Sequence, residues 1–227
     1  MIVVAQARPT ERAAFIKRTY LHLAGAVGAF IVVEFLFFQL GIADLLASVF
    51  LGSRFGWLAL LGGFALLGYL ASGMAAKADD VNTQYLGLGL YVVGEAILFA
   101  PLLLIAQSYA GGGVIASAAV ITLFMFLGLT AVVVTTGKDF SFLGGALRVG
   151  GMVALGLIVA SVLFGLNLGI FFSFAMVAFA SAAILFKTSQ VMQHYGTHQH
   201  VAASLVLFSS VMLLFWYVLQ ILMSSRR

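Results

Sequence analysis

At 227 residues, 63% of them hydrophobic and only 8% charged, the chain cannot cover a soluble surface, which ordinarily carries about 25% charged residues. Its net charge of +4 comes from basic residues too scattered for nucleic acid, and the absence of cysteine excludes disulfides and thiolate metal sites. A helical span takes about 20 apolar residues, so this length holds roughly six to eight spans with short loops and no soluble domain.

In chain order, residues 1–19 read as an exposed cytoplasmic arm bearing Arg8, Arg12, Lys17 and Arg18, with a short helix start near Pro9 and Thr10. Residues 20–227 form the membrane domain. The first apolar run, about 21–42, is longer than a secretory signal core and is followed by no small-x-small cleavage site, so it is a retained span. Further spans are predicted at about 56–75, 84–108, 114–136, 144–165, 169–189 and 200–223, which makes an all-α bundle of seven transmembrane helices. The breaks between them contain Asp79, Asp80 and Asn82, then Gly111-Gly112-Gly113, then Gly137 to Ser141. Asn167 sits in a break so short that spans five and six must form a tight hairpin. Lipid-facing strands would leave backbone groups unpaired, and the alternating pattern of a β-barrel is absent.

With the amino terminus in the cytoplasm, the inner segments hold Arg8, Arg12, Lys17, Arg18, Lys77, Lys138, Arg148 and Lys187, and the outer ones hold Arg54, Arg226 and Arg227. This bias places the carboxyl terminus outside. The terminal arginine pair favours the alternative of six spans with a re-entrant last segment. Small residues at Ala146, Gly150 and Ala154 in span five, and at Ala178 and Ala182 in span six, mark faces where helices can approach closely.

Charges within spans are costly and therefore informative. Glu95 falls near the bilayer middle, where a lone ionised carboxylate is unfavourable, so it is expected to be neutral, paired or wet, and to face the bundle. Pro101, six residues later, lacks an N–H, frees the carbonyl of Ile97 and predicts a kink that suits a polar cavity. Glu34 lies nearer the outer face, within reach of interfacial water. Lys187 lies near the inner interface, where it either snorkels or pairs with an acid. His194, His198 and His200 cluster before span seven, and a solvated loop, a pH sensor and a metal site all stand open there.

No phosphate-binding glycine loop followed by Lys and Ser or Thr is present, nor a His-Glu-x-x-His. No deeply placed histidine pair offers itself to haem, and residues 200–223 contain no lysine for a retinal Schiff base. No cofactor, metal or enzyme activity is expected.

The run Thr135-Thr136-Gly137-Lys138-Asp139-Phe140-Ser141-Phe142-Leu143-Gly144-Gly145 resembles the Thr-x-x-Lys-Asp-[Phe/Met]-Ser-Phe-Leu-Gly-Gly segment of the Bax-inhibitor-one family. Ala183-Ile184-Leu185-Phe186-Lys187-Thr188-Ser189 is similar to that family's [Ile/Leu]-Leu-[Tyr/Phe]-[Asp/Glu]-Thr segment, and Arg18-Thr19-Tyr20 is a weaker match. Lys138, Asp139, Ser141 and Thr188 are thus motif residues. The resemblance implies a seven-helix fold with the last helix surrounded by the others. It further implies calcium-leak activity, modulation of stress or cell death, and, in bacteria, association with the membrane protease FtsH.

In the leak-type members a carboxylate on helix six pairs with one on helix seven. Here those positions fall at Lys187 and at Ser209 or Ser210, so both acids are gone and a fixed positive charge opposes calcium. The expectation is a multi-pass protein of the bacterial inner (plasma) membrane that regulates membrane-protein quality control or stress response. The alternative is a pH-sensitive calcium or proton leak through Glu95 and Glu34. The lipid bilayer is the obligatory partner and FtsH the protein partner the resemblance implies; calcium or protons belong to the alternative.

Overall fold

Long apolar runs with only two prolines in the chain satisfy their backbone within themselves as helices. The computed structural model describes residues 3–77, 80–111 and 113–225. Asp79, Gly112, the Arg226–Arg227 pair and the side chain of Arg54 therefore lie outside the described residues. A one-turn 3-10 segment at Val4–Gln6 leads into α1 (Pro9–Gln39), α2 (Ile42–Leu51), α3 (Arg54–Ala75) and α4 (Val81–Ala110). These are followed by α5 (Gly113–Thr136), α6 (Leu143–Phe164), α7 (Gly169–Gln193) and α8 (His200–Ser224). Seven of these helices, all but α2, are long and apolar enough to cross a bilayer. The chain is an all-helical, multi-pass membrane protein.

Helix α8 is the hub: it packs against α1, α3, α4, α5 and α7. Leu207, Phe208, Leu214 and Leu219 on it are fully buried. Helix α4 is buried nearly as deeply and continues through Pro101. An aromatic column links them: Phe30 meets Phe99 edge-on at 5.4 Å, Phe99 stacks on Phe215 at 5.5 Å, and Tyr91 meets Phe208 edge-on at 6.2 Å. Helix α6 is the outlier, with most of its surface turned to lipid. The α6–α7 hairpin is tight, and its geometry needs left-handed glycines at Gly165 and Gly169, with the Asn167 side-chain carbonyl accepting the Gly169 N–H at 2.9 Å.

Three local features differ from the sequence reading. The segment expected as an exposed arm is helical from Pro9, whose missing N–H costs nothing at a helix start, and runs unbroken into span one. Within it Val4, Phe15 and Thr19 are buried, and the Val4 N–H donates to the carbonyl of Tyr195 at 2.9 Å. The break after span one holds α2, set off by a left-handed Gly41 and too short to cross the membrane. Lastly, Ala178 is exposed, because α7 buries the row Ser173, Met176, Ala180, Ile184 and Thr188 instead.

Candidate functional site

Two polar constellations occur in this apolar bundle. The deeper one is built on α4. Glu95 is only 4% exposed and lies one turn from Tyr91 on the same helix face. The Tyr91 phenol hydrogen-bonds both the Glu95 carboxyl and the hydroxyl of Ser209 on α8. The Ser209 hydroxyl in turn donates to the carbonyl of Val206 at 2.9 Å. No cation stands beside Glu95 among the described residues.

Glu34 lies on the buried stripe of α1 with Thr19, Leu23, Ala26 and Phe30. It is 5% exposed, and neither carboxylate oxygen has a hydrogen-bond partner among the described residues. Interfacial water therefore does not describe its surroundings. Lys187 is half-buried, with its ammonium 5.7 Å from the centroid of the Phe186 ring and no carboxylate partner among the described residues. Ser209 turns to Tyr91, and Ser210 donates to its own helix at the carbonyl of Val206, 3.0 Å away. Neither serine is bonded to Lys187.

The second constellation joins the two motif segments. Asp139, in the loop between α5 and α6, accepts the Ser141 N–H at 2.9 Å, the Ser141 hydroxyl at 2.6 Å and the Ser189 hydroxyl at 3.3 Å. The Phe140 N–H donates to the Ser189 hydroxyl at 3.0 Å, and the Gln190 amide donates to the Ser141 hydroxyl at 3.2 Å. These bonds, the Ser141 hydroxyl's first, hold the Asp139 carboxyl below the usual carboxylate range. The Phe186 ring fills the space beside Gly144, where an added Cβ would come within 3.0 Å of it. Thr188 is buried with its hydroxyl unpartnered among the described residues, and Lys138 lines an adjacent cavity of about 320 Å3 with Arg12 and Gln193. The clamp thus fastens the α5–α6 loop to the end of α7.

The histidines divide. His200 packs against His22 of α1, ring centroids 4.9 Å apart, whereas His194 and His198 stay in the loop region. Among the described residues no three His, Asp or Glu side chains converge as a metal site.

Sequence reasoning named Glu95, Glu34, Lys187 and the motif residues but missed Tyr91, Ser189 and Gln190. The i, i+4 spacing of Tyr91 and Glu95 was visible, but aromatic residues are too common here to single one out.

A profile of the family described as inhibitor of apoptosis-promoting Bax1 matches residues 12–227. The modulator of FtsH protease YccA of Escherichia coli is 33% identical over 168 residues, 73% of each chain. Protein PA2604 of Pseudomonas aeruginosa is 43% identical over 114 residues, so the match spans 49% of this chain and only half the length of that relative. A Neisseria meningitidis protein, NMA0420, is 31% identical over 145 residues, 63% of each chain.

Proposed function

This chain belongs to the Bax-inhibitor family, and we propose that it is a non-enzymatic regulator of membrane-protein quality control or stress response in a bacterial inner membrane, with the FtsH protease as its protein partner. The observation that carries this reading is its similarity to YccA, an FtsH modulator, along 73% of both chains. YccA of a second Escherichia coli strain, matched to the same extent, is named an inner membrane protein. The replacement of the leak-type acids by Lys187 and Ser209 or Ser210 points the same way. In this reading the protein acts through contacts of its helices in the bilayer, or through its basic amino-terminal segment on the cytoplasmic side. FtsH should co-purify with the tagged full-length chain from bacterial membranes in a mild detergent. Its absence, with unchanged turnover of FtsH substrates after depletion of the chain, would contradict the proposal.

A second reading, a pH-sensitive calcium or proton leak, is favoured by one specific arrangement. Glu95 is linked through Tyr91 to Ser209 on the hub helix, and Glu34 is buried without a partner among the described residues. A protonatable chain of this kind is what a proton-gated path requires.

A further inference from the structure

Between α1 and α4 an apolar cavity of about 490 Å3 opens on the flank of the bundle. Its floor follows two helix rows: Leu21, Gly25, Ala29 and Val33 on α1, and Tyr85, Gly89 and Val93 on α4. Leu21 and Val93 are 60% and 42% exposed, so the cavity faces the surroundings of the bundle rather than its core. An added Cβ at Gly25 or Gly89 would meet nothing within 4 Å, so none of the described residues fills the groove there.

One end is polar. There the His22 ring is within 2.6 Å of the Tyr85 hydroxyl and 2.7 Å of the Arg18 carbonyl. The α1 rows continue past this end with Lys17 and Arg18, one turn before Leu21 and His22. Neither Lys17 nor Arg18 is buried. The nearest acid along the α4 rows, Asp80, holds its carboxylate in capping bonds to the N–H groups of Asn82 and Thr83. At the other end the α1 row closes at Phe37, which packs on the core.

From these observations we propose that the α1–α4 groove binds one phospholipid with an anionic headgroup, an acyl chain lying along the groove and the phosphate at the Lys17–Arg18–His22–Tyr85 end. The lengths agree. From Leu21 to Val33 the groove runs about 18 Å at the helical rise, against about 15 Å for one leaflet of a hydrocarbon core. A transmembrane helix of a partner would need a groove through both leaflets, whereas this one ends at Phe37.

The polar end suits a phosphate. The exposed Arg18 and Lys17 supply the positive charge that would hold the headgroup, with the His22–Tyr85 pair beside them.

Native mass spectrometry of the purified full-length protein tests this with dioleoyl phosphatidylglycerol, dioleoyl phosphatidylcholine and inorganic phosphate as separate probes. One phosphatidylglycerol should bind most tightly, phosphatidylcholine more weakly, and inorganic phosphate not at all. The double variant Gly25→Leu, Gly89→Leu fills the groove and should weaken the first bound lipid by about tenfold or more. Arg18→Gln leaves the groove open and should erase the preference for phosphatidylglycerol over phosphatidylcholine. Helix content and elution volume like the wild type show that each variant has folded, and Arg18→Gln carries the test alone where the double variant does not fold. Lipid binding unchanged in the folded variants overturns the proposal, as does loss of a bound protein helix instead of a lipid from the groove-filled form.

Discussion

At Glu95 the cost of placing a carboxyl among apolar side chains is met by a chain of hydroxyls rather than by a counter-charge. That setting makes a sharp substitution available. Glu95→Gln keeps the shape and still offers Tyr91 a donor and an acceptor. If the carboxyl is structural, liposomes containing the variant should show the flux of the wild type, and stability in detergent should change by about 1 kcal/mol, the scale of one hydrogen bond in a membrane. Under the leak reading the variant should instead lose the pH dependence of its flux. That Glu95 turns inward follows from its position in an apolar run, because a lipid-facing acid there has no partner. The register that brings Ser209 of α8 to Tyr91 of α4 is a tertiary fact, and no spacing within either helix announces it. The same holds for Asp139, which bonds Ser189 fifty residues away.

Among the elements, the tightest approach of a glycine to backbone is not on the face that small-residue spacing singles out. In α6, Gly150 faces the Phe179 ring, whose nearest atom would lie 3.2 Å from an added Cβ, and Ala154 is buried while Ala146 is exposed. At Gly87 in α4 an added Cβ would lie 2.7 Å from the Ala71 carbonyl oxygen and 2.9 Å from the Ala75 nitrogen, both α3 backbone atoms. A ring can turn aside; a helix backbone cannot without moving the helix. Gly87→Ala should therefore lower stability by about 1–3 kcal/mol, and Gly150→Ala by less, as measured by unfolding in one defined detergent. Equal, negligible effects at both positions would show that α3 and α4 are not in such close contact. The seven spans themselves were legible because every run exceeds a bilayer's requirement. Helix α2 was not, since the ten mostly apolar residues between Gly41 and Gly52 are short for a span and read as a break.

For the whole molecule, the basic ends fall together. Val4 bonds to Tyr195 in the α7–α8 loop, and Arg12 shares a cavity with Lys138 of the α5–α6 loop. From the Lys and Arg bias we propose that this end faces the cytoplasm. Since α8 is one uninterrupted helix of 25 residues, the carboxyl terminus should lie on the far side. Reporter fusions at the two termini should report opposite compartments; two cytoplasmic ends would restore the six-span alternative.

The family's architecture survives here, with the last helix packed among the others and the two motif segments clamped together. The paired acids of the leak-type members do not survive, and that combination is the reason for placing regulation ahead of conduction. The direct measurement is degradation of a membrane substrate by purified FtsH in proteoliposomes, with increasing amounts of this chain in the same bilayer. The rate should change in a saturable way as the chain is added and return on its omission. A rate that stays constant at large excess of the folded chain would contradict the regulatory role.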